Sequence, residues 1–339
     1  MHDGWTRWIR ALCYREHDQT RAEYASPTFA SMTLLSLLAA ILLEQIRPLP
    51  VRRVLHEPIA AFARFIEDRL NDGQARHGTI AWCFAVLLPS ALALLIYTAL
   101  FWLQPVAALL FNALVLYLCM GYRFHSHAYG RIHAALRANE VEQARQLLAE
   151  WRGGSYDLTP SEEIARLAME QAMVVGHRQL FALFPLFILL PGPSGVLLYR
   201  LSERFATLWA EGREPGFTEF GRFARRAFVL IDWLPARITA VAFSIVGDFE
   251  DAIYCWRTQS GLWPETNEGV LISAGAGALG VKLGNPVRQS GEVLDRPEMG
   301  TGDDADVDYL YSAVGLIRRT LVFFLLLILL ASIAGWAGG

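Results

Sequence analysis

Apolar residues in this chain are gathered into runs, with arginine-rich polar stretches between them. Residues 80–103 and 321–336 are each apolar for about the length that a helix needs to cross roughly 30 Å of hydrocarbon. Residues 32–43 are short for a span unless flanking positions join them, and residues 106–122 sit at the lower length limit. Gln104 and Pro105 separate two of these runs so briefly that the runs must form a tight helical hairpin. Its two outer flanks then share one side of the membrane. Six arginines lie between Arg47 and Thr79, and seven between Arg123 and Gln179. The positive-inside rule assigns both flanks to the cytoplasm. With Arg318 and Arg319 just before the last run, four spans put both termini in the periplasm.

Two further apolar stretches need a different account. Residues 181–198 are broken by Pro185, Pro191, Pro193 and two glycines, and residues 227–246 carry Asp232, Pro235 and Arg237 near their middle. If either crossed alone, the six arginines between Arg200 and Arg226 would fall outside. Both are therefore expected to be half-buried, as re-entrant or interfacial segments packed on the spans. Val54, Leu55, Ile59, Phe62, Phe65, Ile66 and Leu70 recur at three-and-four spacing, which predicts an amphipathic helix over 51–70 that lies on the membrane or on the protein's own core. Thr159-Pro160-Ser161-Glu162 predicts a helix start with Thr159 as the cap. No strand pattern or internal repeat stands out. The acidic, glycine-containing stretch after Gly291 reads as a flexible tether.

The expected fold is all-α: a polytopic helical membrane protein with about four transmembrane helices plus amphipathic and re-entrant helices on the cytoplasmic side. Residues 1–31 form an amino-terminal extension, 32–290 a membrane domain, 291–310 an acidic linker and 311–339 a final transmembrane helix. A hydrophobic content of 54% is too high for a soluble domain of 339 residues. Charged residues (Arg7, Arg10, Arg15, Glu16, Asp18, Arg21 and Glu23) are scattered through the first 27 positions and no A-x-A site follows the first apolar run, so that run is expected to be an anchor and not a cleaved signal. A bacterial inner membrane is the expected location, with the lipid bilayer as the first partner. The net charge of −3 offers no basic footprint for nucleic acid. Cys13, Cys83, Cys119 and Cys255 have neither zinc nor disulfide spacing.

Candidate chemistry starts with Asp232 and Arg237, because ionisable groups inside an apolar stretch need a partner or a cavity. They either pair with each other as a structural ion pair, or Arg237 holds a phosphate or carboxylate through its planar fork. Glu163, Arg166, Glu170 and His177 fall near one stripe of the helix after Pro160, which is either a solvated face or a binding or acid–base face. Arg123, His125 and His127 follow the third run, where such residues usually anchor a helix at the interface. Asp248, Glu250 and Asp251 are acidic enough to attract a metal ion, with Asp248 and Asp251 as its ligands, yet also look like a helix boundary. Gly275-x-Gly277-x-x-Gly280 has dinucleotide-fingerprint spacing without a preceding strand. Small residues at this density more often permit close helix contact.

Two motifs carry a resemblance. Residues 230–240 (Leu-Ile-Asp-Trp-Leu-Pro-Ala-Arg-Ile-Thr-Ala) resemble the Pro-Ala-Arg-Leu-Thr-Ala signature of the CobD/CbiB superfamily of membrane proteins. Asn267-Glu268-Gly269 and residues 276–284 (Ala-Gly-Ala-Leu-Gly-Val-Lys-Leu-Gly) resemble its Asn-x-Gly and Ala-Gly-Ala-Leu-Gly motif, which adds Asn267 and Lys282 to the ligand-binding candidates. The resemblance runs from Met32 to the end. Biosynthetic members carry acidic sites where this chain has Leu43-Glu44-Gln45-Ile46-Arg47, Gly176-His177-Arg178-Gln179-Leu180, and Phe228 and Val229. The Phe-His-x-His-Ala-Tyr pattern at 124–129 and Asp232-Trp233 look like the AmpE branch. The resemblance thus implies a divergent, non-catalytic sensing or signalling protein with a small phosphorylated or cell-wall-derived ligand or a membrane protein partner. The alternative is adenosylcobinamide-phosphate synthase, joining an aminopropanol (phosphate) to adenosylcobyric acid with ATP and magnesium.

Overall fold

A computed structural model of the chain describes residues 27–47, 55–71, 74–209, 218–289 and 292–337. Most of the expected amino-terminal extension, residues 1–26, lies outside the described residues. The helices in chain order are α1 (Pro27–Ile46), α2 (Glu57–Leu70), α3 (Ala75–Trp82), α4 (Leu88–Leu103), α5 (Pro105–Cys119), α6 (Tyr122–Arg137), α7 (Val141–Arg152) and α8 (Ser161–Gly176). They continue with α9 (Leu183–Leu189), α10 (Ser194–Leu208), α11 (Thr218–Val246), α12 (Phe249–Gln259), α13 (Thr266–Leu279) and α14 (Tyr309–Ala337). A π turn, Cys83–Leu87, joins α3 to α4, and a second, His177–Phe181, continues α8 toward α9.

The protein is an all-α polytopic membrane protein, as its apolar runs predict. Gln104 alone separates α4 from α5, so the expected hairpin is present. Leu95, Leu103, Leu110 and Leu114 of this hairpin and Val322, Leu330 and Ile333 of α14 stay exposed, which suits surfaces that face lipid. Two candidate spans lie beyond the four runs expected to cross. Among the described residues, five stretches are long and apolar enough to cross: Arg76–Leu103, Pro105–Arg137, Ser161–Leu189, Phe220–Val246 and Tyr309–Gly335, with a shorter apolar helix at Met32–Ile46. The sequence reading missed Ser161–Leu189 because it stopped a helix at the polar His177-Arg178-Gln179, whereas the π turn carries the helix through it. Residues 227–246, expected to be half-buried on account of Asp232, Pro235, Arg237 and the flanking arginines, form part of one helix, α11, with that proline inside. A proline in a helix interior loses one backbone bond and need not end the helix when neighbours pack around it.

Residues 181–198 are interrupted as expected. The chain reverses at 190–193, so that α10 returns antiparallel to α9 and the π turn. Gly195 lies against the Leu186 carbonyl, and Arg200 Nη2 donates to the Arg178 carbonyl at 3.3 Å. Phe181 packs on Phe243 and Phe324, with ring centroids 6.1 and 5.6 Å away, which joins this hairpin to α11 and α14. The amphipathic helix predicted over 51–70 is present as α2 from Glu57, with residues 51–54 outside the described residues. It buries Ala63 and Ile66 against a cluster containing Phe205, Trp209 and Phe220, with Ile59 and Leu70 packed beside them, while Phe62 and Phe65 stay exposed. Helix α8 starts at Ser161 with Pro160 in the cap position, one residue beyond the Thr159 cap the sequence suggests.

Strands are the second correction. β1 (Val281–Gly284), β2 (Val287–Gln289), β3 (Glu292–Leu294), β4 (Glu298–Gly300) and β5 (Asp303–Asp304) follow α13 directly. β1 pairs antiparallel with β4 and parallel with β5, while β2 and β3 form a separate antiparallel pair. Much of the stretch read as a flexible linker, 291–310, is therefore folded onto the helices. Strands of two to four residues are too short for alternation to show. Gly300, at φ +95°, brings β4 close to β1: a Cβ there would stand 2.1 Å from the Val281 carbonyl oxygen. The small residues of α13 allow the close contact expected of them. Gly277 lies against the Asp251 carbonyl and Gly275 against Met173.

Candidate functional site

Two polar features meet around the π turn at His177–Phe181. The first is a buried network centred on Asp232 of α11, which is 2% exposed. Its Oδ1 accepts from the Tyr199 hydroxyl at 2.8 Å and lies 2.8 Å from His177 Nε2, and its Oδ2 accepts from Asn267 Nδ2 at 3.2 Å. His177 Nδ1 lies 2.9 Å from Thr239 Oγ1. His177 thus bridges the Asp232 carboxylate and the Thr239 hydroxyl through its two ring nitrogens, so each of these buried groups has a partner. A buried carboxylate is tolerable when it is hydrogen-bonded on all sides.

Arg237 is not the direct partner of Asp232, so of the two alternatives the direct ion pair is not formed. Five residues along a continuous helix place two side chains on different faces. Arg237 instead donates to the Trp233 carbonyl at 2.9 Å and to Asn267 Oδ1 at 3.3 Å, with its guanidinium carbon 4.2 Å from the Trp233 ring centroid. Asn267 is thus the bridge between the two.

The second feature is a cavity of about 230 Å³ whose polar wall includes Arg152, Glu170, Arg178, Glu203, Arg204 and Glu268. Elements far apart in sequence converge here: α7, α8 with its π turn, α10 and α13. Arg178 Nη2 reaches Glu268 at 2.8 Å and Glu265 at 3.4 Å. Arg200 holds Glu203 at 2.5 Å. Glu170, 1% exposed, accepts from the Gly284 amide at 3.0 Å and from Arg296 Nη1 at 2.8 Å, with Arg152 at 3.6 Å. Burial alone would raise the Glu203 carboxyl, but Arg200, Arg204 and Arg178 hold it below its ordinary value. Burial and the neighbouring Glu268 push Glu265 up, against the pull of Arg178 and Arg225. A cavity walled by several guanidiniums suits a phosphate or carboxylate, and its carboxylates suit an ammonium group.

A larger cavity of about 590 Å³ lies beside it, between α6, α7, α8 and the first half of α14. His125 and His127 both border it, and His125 borders the arginine cavity as well. Arg123 donates to His127 Nε2 at 3.4 Å and to Gln45 Oε1 at 3.3 Å.

Of the candidates from sequence, Asp232, His177, Asn267 and Arg237 come together in the network, and Glu170 joins the neighbouring cavity. Lys282 sits half-buried on β1 and lines neither cavity. Asp248 caps α12, accepting from the Asp251 amide at 3.1 Å, and no group of three His, Cys, Asp or Glu side chains converges on a metal position among the described residues. Sequence reasoning missed Arg152, Arg178, Glu203, Arg204 and Glu268 as site residues. Their arginines entered it as topology signals, with Arg178 also named among residues 176–180.

The family described as CobD/Cbib protein matches residues 37–317. The chain is 34% identical over 309 residues to cobalamin biosynthesis protein CobD of Stutzerimonas stutzeri, covering 89% of this chain and 98% of that one. It is 30% identical over 308 residues to the protein of the same name from Chromobacterium violaceum, covering 88% and 96%. The Mycobacterium tuberculosis protein of that name is 32% identical over 194 residues, covering 56% and 61%. No solved structure matches.

Proposed function

The chain belongs to the CobD/CbiB family, and we propose on that premise that it acts in cobalamin biosynthesis, joining an aminopropanol or its phosphate to a carboxylate of adenosylcobyric acid with ATP. The observation that carries this reading is the cavity where Arg152, Arg178 and Arg204 face Glu170, Glu203 and Glu268. An amino alcohol phosphate presents an anionic and a cationic end, and this cavity offers both complements within about 230 Å³. Amide formation joins the amine nitrogen to the carboxylate carbon with net loss of water, and ATP hydrolysis drives it. The guanidiniums would hold phosphate groups and offset their charge. Glu203, kept ionised, would orient the ammonium.

A protein-held magnesium ion fits this site less well. No group of three His, Cys, Asp or Glu side chains converges on a metal position among the described residues. No step is assigned to the metal. The AmpE-like sensing role is the second reading. It is favoured by the absence of acidic residues at 43–47, 176–180 and 228–229, apart from Glu44, which instead accepts from the Arg123 amide at 2.9 Å. The relatives described above are named for biosynthesis, and none for signalling.

Complementation separates the two. The chain is expressed in a cell that lacks its own cobinamide-phosphate synthase and is supplied with cobyric acid. Cobalamin-dependent growth, lost on Arg178→Gln, supports the synthase; no growth from a chain that inserts normally favours sensing. We further propose an inner-membrane location with the cavity side cytoplasmic. A reporter fused after Gln104 should then read periplasmic and one after Gly154 cytoplasmic.

A further inference from the structure

The two cavities differ in size and in chemistry, and they share a wall. The arginine cavity is polar and holds about 230 Å³, too little for a corrinoid. Its neighbour holds about 590 Å³, within the range of cofactor-sized sites. Tyr122, Tyr129, Trp151 and Tyr311 give it broad aromatic faces, and Val314, Ile317 and Leu321 of α14 an aliphatic side. Its polar side chains include Gln45, Ser126, the imidazoles of His127 and His133, and the exposed guanidinium of Arg318. His125 and Val175 line both cavities.

We propose that the larger cavity receives the corrin macrocycle of the substrate, with the arginine cavity holding the amino alcohol phosphate, so that the two reactants meet across His125. The assignment rests on the biosynthetic reading above and specifies where each substrate sits. A corrin ring is wide and mostly apolar, with amide and carboxylate arms around its rim and a cobalt ion at its centre. Aromatic and aliphatic walls bury such a ring, Arg318 can take a rim carboxylate, and an imidazole is a suitable axial nitrogen for cobalt. The His125 Nδ1 accepts from the Trp151 indole N–H at 2.9 Å. Its neutral ring therefore carries hydrogen on Nε2, which supplies a donor at the boundary where a carboxylate arm meets the amine. Bringing the two reactants to one wall is the main thing a condensing site must do.

The test uses the full chain purified in detergent and cobyric acid as the probe, followed by its visible absorbance and by tryptophan fluorescence. Val314→Trp fills the larger cavity and Arg318→Gln removes its edge charge without touching the core. Each should weaken cobyric acid binding, the first by at least about ten-fold, while inorganic phosphate still protects the protein thermally. Arg178→Gln should do the reverse. Unchanged cobyric acid affinity in both cavity variants, in a chain that complements, would overturn the assignment and leave the biosynthetic reading standing. A wild-type chain that neither binds cobyric acid nor complements would overturn both.

Discussion

His177 Nε2 lies 2.8 Å from Asp232 Oδ1, and this contact fastens the π turn to α11 where neither residue meets solvent. Removing the carboxylate leaves His177, Tyr199 and Asn267 without a shared acceptor. Asp232→Ala should therefore cost about 3–5 kcal/mol of stability. Arg237→Ala loses a ring contact and two hydrogen bonds, to the Trp233 carbonyl and to Asn267 Oδ1, on a partly exposed side chain, and should cost only about 1–2 kcal/mol. Thermal unfolding in detergent measures both. Equal losses would mean that the two residues work as one ion pair after all.

Glu170 ties the strand region to the helices, since one carboxylate takes both the Gly284 amide and the Arg296 guanidinium. Glu170→Ala should loosen residues 281–304 before it unfolds the bundle, at a cost of about 3 kcal/mol. Limited proteolysis is the readout. New cleavage within that region is expected, and an unchanged digestion pattern would show that the sheet holds without this anchor.

Glu203 sets a pH dependence. Its folded-state carboxyl lies below the ordinary value because three arginines outweigh its burial. A depressed carboxyl contributes stability that is complete above the unfolded value and is lost as pH falls through the folded one. Melting temperature recorded from about pH 7 down to about pH 3 should fall steeply in the native chain. The Glu203→Gln variant should start lower and fall less. Parallel curves would assign the acid sensitivity to other groups.

A side chain at Gly277 has nowhere to go: its Cβ would stand 2.5 Å from the Asp251 carbonyl oxygen and 2.8 Å from Ala252 Cα. Gly277→Val should force α12 and α13 apart and cost about 1–3 kcal/mol. Gly261, where a Cβ would meet nothing within 4 Å, is the matched control, and Gly261→Ala should be close to neutral. If both substitutions are equally mild, the tight packing of these helices is dispensable.

What the sequence discloses depends on the length over which a pattern repeats. Runs of about twenty apolar residues show themselves, and so does the Gln104 break between two of them. Asp232 also shows itself, because a carboxylate in an apolar run demands an explanation. Its true partners, His177 and Tyr199, lie 55 and 33 residues away on other helices, and nothing local records which helices will touch. Proximity along the chain suggests Arg237 as the partner of Asp232, but a helix converts that proximity into divergence around its axis. The arginine cavity escapes notice for a related reason. Arg178 and Arg204 look like ordinary cytoplasmic charges until α8 and α10 are laid side by side. The strands of 281–304 leave no periodic trace, and their order comes from contacts with Glu170 and α13.

A π turn is a helix with a residue to spare, and His177–Phe181 places that surplus between the residues that face the arginine cavity and those that pack on α14. Each residue of an α-helix turns the chain by about 100°. Losing one here would rotate Leu183–Leu189 relative to Glu170 and leave either the cavity or the aromatic stack of Phe181 and Phe324 misaligned. Chain length in this stretch is therefore as firm a requirement as side-chain chemistry. Related chains should tolerate exchanges of residue here far more readily than a gain or loss of one.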